Sequence, residues 1–171
     1  MSEKHNIIIS QKEINNRVEI LAKKINSDYS GKTLDLICLS NSALFYTIDI
    51  IKQLTIPTRL HFLGFSSYTD GNKTGEICIN SDIKVPLFNK DVLVFEGIIV
   101  SGRTPRFIIE SLKNRNPSSI ALCALGTKPH LLNEKLPLRY TGFELGTEIV
   151  VGYGIGSESE MTKPYLFSKN N

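Results

Sequence analysis

The stretch VLVFEGIIVSGRTP, residues 92–105, decides how the rest of the chain is read. Its first five residues are a β-prone run that ends in an acid, Glu96. Its second half turns on Ser101-Gly102 and enters Pro105, a residue suited to the first turn of a helix. A strand, a glycine turn and a helix together present backbone N–H groups to a phosphate. From Gly97 to Thr104 the spacing also comes close to a nucleoside-triphosphate P-loop: Gly, four residues, Gly, then Arg-Thr. Two features argue against that loop. Arg103 is a planar fork where a compact lysine ammonium would reach the terminal phosphates. The buried runs LDLICLS (34–40) and IALCALG (120–126) both lack the terminal Asp that would hold magnesium.

On either side of this stretch, strand and helix patterns alternate. Ser10 followed by Glu13 forms a capping box, and Ile14, Val18, Ile20, Leu21 and Ile25 recur behind it, predicting an amphipathic helix over 11–27. Residues 34–40 read as a buried strand, 43–54 as a helix stopped by Pro57, and 59–65 as a β-prone run. Residues 66–80 are polar and contain glycine, predicting an exposed loop or hairpin with a short strand at 76–79. Strand 92–96, helix 105–113, strand 119–125 and a short strand at 148–152 complete the pattern. Such alternation predicts one α/β domain over 1–171, built on a mainly parallel sheet covered on both faces. Ligands bind such sheets at the carboxyl ends of the strands, which aligns Ser40-Asn41, residues 96–104 and residues 126–128 on one rim.

Composition narrows the chemistry. A chain of 171 residues with a net charge of +3 carries too little positive charge to argue for nucleic acid, while leaving room for a local anion site. The short run III near the start has neither the length of a membrane span nor the pattern of a signal peptide, so a cytoplasmic location is expected. Cys38, Cys78 and Cys123 are widely spaced, and His5, His61 and His130 lack paired spacing, so a thiolate metal site is not expected.

Several segments, in order, resemble the hypoxanthine-guanine phosphoribosyltransferases, purine members of the type I phosphoribosyltransferase fold. ISQKEINNRVEILAKKINSDYSGK (9–32) is similar to that family's opening helix and turn. SSYTDGNKTGE (66–76) resembles its lid, which begins with a Ser-Tyr pair, and GFELGTEIVVGYGIG (142–156) resembles the segment lining its purine site. VLVFEGIIVSGRT (92–104) resembles its diphosphoribose-binding motif. The resemblance implies a mainly parallel sheet flanked by helices with a small hood. It also implies purine salvage: a purine base and phosphoribosyl pyrophosphate as ligands, magnesium in an active enzyme, and a dimer or tetramer.

Carried over position by position, the resemblance implies a 5′-phosphate cradle at Ser101, Gly102, Arg103 and Thr104. Glu96 would meet ribose hydroxyls or magnesium-bound water, Lys128 would read the purine's exocyclic oxygen, and Ile149 and Val150 would face the base. Ser67 and Tyr68 would belong to the lid, and Ser40-Asn41 to the pyrophosphate turn. Other positions depart from the family. Gly97 replaces a second acid, and Val100 stands where an Asp handles the purine proton, work that valine cannot do. Ser40-Asn41 replaces Lys-Gly, Ile149 replaces a stacking aromatic, and Gly156 replaces an Asp associated with magnesium. A basic residue expected near Thr162 is missing unless Lys163 serves, and Glu158 and Glu160 read as an exposed acidic turn. Each retained residue also has a plain structural role open to it: Glu96 as a strand-end acid, Arg103 as a surface ion-pair partner, Lys128 as a turn lysine. The pattern favours a protein that holds a purine nucleotide or phosphoribosyl ligand with transfer weak or lost, in a regulatory role. The alternative is a working hypoxanthine-guanine phosphoribosyltransferase.

Overall fold

The computed structural model describes residues 6–39, 41–67, 77–157 and 159–169. In chain order the elements are β1 (Asn6–Ile9), α1 (Gln11–Asp28), β2 (Leu34–Leu39), a 3-10 turn (Asn41–Ala43), α2 (Leu44–Ile51), β3 (Thr58–Ser67), β4 (Ile77–Ser81), β5 (Asp91–Ile99), α3 (Arg103–Lys113), β6 (Ser119–Thr127), β7 (Leu138–Glu144), β8 (Val150–Val151) and β9 (Leu166–Ser168).

The capping box forms as its spacing predicts. The Glu13 N–H donates to Ser10 Oγ at 3.3 Å, and the Ser10 N–H donates to the Glu13 carboxylate at 2.8 Å. The helix it starts buries Ile14, Val18, Leu21, Ala22 and Ile25, while Ile20 faces outward. Each fully buried aliphatic side chain of this kind is worth roughly 1.5–3 kcal/mol.

Six strands make the main sheet in the order β4-β3-β2-β5-β6-β7, every neighbouring pair parallel except β3 with β4. β2 is buried along its whole length because strands flank both its edges and side chains cover both its faces. Leu36, Leu93, Phe95 and Cys123 pack with α1 and α2 on one face. Ile37, Val92, Val94 and Leu122 pack with α3 on the other. Asp35 is the one charged residue of β2; its carboxylate meets His61 Nε2 at 2.8 Å and Arg59 Nη1 at 3.4 Å, both from β3. At the far edge, Arg17 of α1 donates from Nε to the Gly142 carbonyl at 2.6 Å and from Nη2 to the Thr141 carbonyl at 3.1 Å, clasping β7.

A second sheet, ordered β1-β9-β8 and antiparallel, forms the hood. Neither β1 nor β9 is visible in the sequence pattern, because three or four residues carry no resolvable alternation and become strands only through their pairing. β7 also escapes the pattern. It is an edge strand whose sequence, LRYTGFE, alternates weakly. Other boundaries move for local reasons. α2 stops at Ile51 rather than 54, where i→i+3 bonds from the Gln53 and Leu54 N–H groups tighten the chain into turns. Ser66 and Ser67 belong to β3 and pair antiparallel with Cys78 and Ile77 of β4, so of the loop and hairpin expected for this segment the hairpin pairing forms. α3 starts at Arg103, two residues early, because Gly102 adopts φ 85° and turns the chain into the helix at once.

Candidate active site

The carboxyl ends of β2, β3 and β5 open on a cleft of about 250 Å3. β5 and the loop after it supply Glu96, Ile98, Val100, Ser101, Gly102 and Thr104; Phe65 of β3 and Ser42 of the 3-10 turn supply the facing wall.

The loop 100–104 is shaped by one glycine. At Gly102 a Cβ would lie 2.7 Å from Leu132 Cδ1 and 3.0 Å from Glu134 Cβ, and its φ lies in the left-handed region. Both constraints fix glycine there and start α3 beside the cleft, at a helix end whose first N–H groups have no intrahelical carbonyl. Ser101 Oγ accepts from the Arg103 N–H at 3.4 Å, and Thr104 brings a second hydroxyl to the same rim. The Arg103 side chain is exposed and lines a neighbouring groove with Ile77, Arg106, Phe107, Glu110 and Glu134, so the cradle is lined by the loop's other residues.

Glu96 is buried at the end of β5, and its Oε1 accepts the Gly97 N–H at 2.8 Å. Burial pushes its carboxyl up to about 7, against the pull of that hydrogen bond. Gly97 leaves no room for a second acid. A Cβ there would stand 2.9 Å from Ser42 Oγ, 3.0 Å from Ser42 O and 3.1 Å from Ser42 Cβ. Val100 is 43% exposed on the cleft rim, an apolar side chain where proton chemistry would be placed.

The residues matched to the base are not among those lining the cleft, although the Lys128 N–H donates to the Ile99 carbonyl at 2.9 Å just before the loop. Lys128 is buried at the end of β6, and its ammonium donates to the Glu148 carbonyl at 2.6 Å and the Thr147 carbonyl at 3.4 Å. This lysine fastens the segment that leads into β8, where Val150 is buried and the preceding Ile149 is 52% exposed. Asn41 is exposed at the start of the 3-10 turn; Ser40, Tyr68 and Glu158 lie outside the described residues, as does the side chain of Ser67. Glu160 pairs with Lys169 at 2.7 Å and accepts the Ser157 N–H at 3.1 Å, so its carboxylate is committed to the hood. Among the described residues, no three His, Cys, Asp or Glu side chains gather to hold a metal ion. Magnesium commonly binds through one or two carboxylates plus the substrate's phosphates, and Glu96 is the acid on this cleft that meets that description.

Ser42 and Phe65 line the cleft without any motif to announce them, whereas Ile98 lies within the stretch 92–104. Phe65 reads in the sequence only as a member of an apolar run. The one hint of Ser42 is its place directly after Ser40-Asn41 on the rim.

The model of the phosphoribosyl transferase domain matches residues 9–158. The hypoxanthine phosphoribosyltransferase of Buchnera aphidicola subsp. Schizaphis graminum is 35% identical over 164 residues, covering 94% of this chain and 93% of that one. The hypoxanthine-guanine phosphoribosyltransferase of Dictyostelium discoideum is 32% identical over 166 residues, covering 94% and 92%. Among solved structures, a hypoxanthine-guanine phosphoribosyltransferase from Bacillus anthracis superposes with a TM-score of 0.92 at 30% identity, covering 98% of this chain and all of that one.

Proposed function

The chain belongs to the purine branch of the type I phosphoribosyltransferase family, and on that premise we propose that it transfers phosphoribosyl groups to hypoxanthine or guanine, slowly. The observation that carries this reading is the joining of Glu96 and the Ser101–Thr104 cradle on one cleft. In the reaction, the C1–oxygen bond to pyrophosphate breaks, a bond forms from C1 to a purine nitrogen, and the purine proton passes to water or to the departing pyrophosphate, since Val100 cannot accept it. The 5′-phosphate would sit on the loop's N–H groups and on the Ser101 and Thr104 hydroxyls. Glu96 would orient the ribose and share the magnesium that arrives with the pyrophosphate, a charge that stabilises the leaving group. Ile149 would give the base an apolar wall and the Val150 backbone would face it, with Lys128 turning from its carbonyls to the exocyclic oxygen. The Ser67-Tyr68 lid would exclude water, which otherwise captures the sugar.

Slowness follows from Val100. A positioned acid or base contributes about 100- to 10,000-fold, and valine contributes none of it. A second reading, a purine-nucleotide holder with no turnover and a regulatory role, draws on the same residue and on the closure of Gly97 by Ser42. The names of the relatives favour transfer over that reading. We place the reaction in the cytoplasm and in a homodimer or homotetramer.

The test incubates the purified chain with phosphoribosyl pyrophosphate, magnesium and hypoxanthine or guanine, and follows nucleotide formation by chromatography. Against a common enzyme rate of about 10 per second, roughly 0.001–0.1 per second is expected. No product above the blank, with saturable nucleoside monophosphate binding, would establish the second reading instead. Thr104→Asp sets a negative charge in the cradle and should abolish nucleotide binding; undiminished binding would refute the cradle assignment.

A further inference from the structure

The connection between β6 and β7 packs against the back of the turn at Ser101-Gly102, and it holds neither helix nor strand from Lys128 to Pro137. A Cβ at Gly102 would lie 2.7 Å from Leu132 Cδ1, 3.0 Å from Glu134 Cβ and 3.3 Å from Leu136 Cδ1. The Asn133 N–H donates to the Ser101 carbonyl at 3.2 Å. One residue on, Glu134 Oε2 accepts from Arg106 Nη1 at 2.6 Å. The Arg106 N–H in turn donates to the Gly102 carbonyl at 3.0 Å, closing the first turn of α3. These contacts make a ring behind the cradle that runs from Ser101-Gly102 to Arg106, across to Glu134, and back through Asn133. The Arg106–Glu134 pair is the side-chain link of that ring, and a second contact, from Arg106 Nε to Glu110 at 3.1 Å, aims the guanidinium.

We propose that Glu134 is a positioning residue of the phosphate cradle, holding the β6–β7 connection against Ser101-Gly102 through Arg106. The inference rests on the reading of Ser101–Thr104 as a 5′-phosphate site and adds to it a residue that touches no ligand. The side chains of Arg106 and Glu134 are 51% and 25% exposed, so their pairing contributes little to global stability. Its effect is local. A loop whose N–H groups must converge on one phosphate binds more tightly when its shape is set beforehand.

Titration calorimetry on the full chain, with inorganic phosphate and magnesium phosphoribosyl pyrophosphate as probes, reads this effect. Glu134→Gln should weaken both probes roughly 3- to 10-fold, the worth of about one hydrogen bond, while Tm stays within about 3 °C. Removing a negative charge beside an anion site would by itself tighten phosphate, so weakening has the opposite sign to a charge effect. In turnover, the KM for phosphoribosyl pyrophosphate should rise while the KM for the purine holds, a split that general loosening of the fold would not produce. Charge reversal supplies the rescue: Glu134→Arg should also weaken phosphate, and adding Arg106→Glu should restore most of the affinity. Unchanged or tighter phosphate binding in Glu134→Gln would overturn the proposal, as would a double variant no better than Glu134→Arg. If the unaltered chain bound neither probe, the cradle reading itself would fall, a result distinct from a silent Glu134 variant.

Discussion

Replacing Glu96 by Gln tests the buried acid at the centre of the site. Glu96 is 7% exposed, its Oε1 accepts the Gly97 N–H, and burial pushes its carboxyl up to about 7 from an ordinary 4.5. Between those two values the folded chain binds a proton that the unfolded chain has released. Stability therefore falls as pH rises through that window, and the penalty is complete above pH 7. The gap is worth about 3 kcal/mol, most of it appearing between pH 5 and pH 8. Gln keeps the shape and the oxygen that accepts from Gly97, and it has no charge to bury. The variant should therefore be more stable than the parent at pH 8 by up to about 3 kcal/mol, or roughly 6–12 °C in Tm for a chain of this size. At pH 5 the two should nearly coincide. Urea denaturation in metal-free buffer from pH 5 to pH 8 measures the difference directly. Parallel pH profiles for the two proteins would refute the reasoning, because they would mean that Glu96 ionises without cost in the folded state.

Two further substitutions probe the neighbouring positions. Gly97→Asp should lose about 1–3 kcal/mol of stability through overlap with Ser42, and Ser42→Gly in the same chain should recover part of that, since two of the three close atoms belong to the Ser42 side chain; thermal unfolding of both variants reads the recovery. Val100→Asp adds a proton acceptor at a 43% exposed position, where the stability cost is small, and should raise kcat for purine transfer at least 10-fold. An unchanged kcat would place Val100 away from the reacting base.

The sequence announces those parts of the fold that rest on local chemistry. α1 is legible because its cap and its apolar stripe are both written into residues 10–25, and β2, β5 and β6 because buried parallel strands read as apolar runs. Of the hood strands β8 lies within the predicted strand at 148–152, whereas β1 and β9 are not legible, since they become strands only by pairing across the length of the chain. The site divides in the same way. Glu96 and the Ser101–Thr104 loop lie in one continuous stretch, where the strand–turn–helix order points to the loop and the family resemblance points to Glu96. Ser42 and Phe65 reach the cleft from other strand ends, and only the parallel order β3-β2-β5 brings them there. The departure at Gly97 is visible in the sequence, but its cause, the approach of the turn at Ser42, is a matter of three-dimensional packing.

The clasp of Arg17 on β7 bears on how these molecules behave in a crowd. β7 closes one side of the main sheet, and the outward carbonyls of a terminal strand are a template on which another chain can lay a strand of its own. The guanidinium occupies the Thr141 and Gly142 carbonyls with donors that cannot propagate a ladder. Consecutive carbonyls of a strand point to opposite edges, so one of the two at most is an outward acceptor, and the side chain blunts that border against intermolecular sheet growth without sealing it.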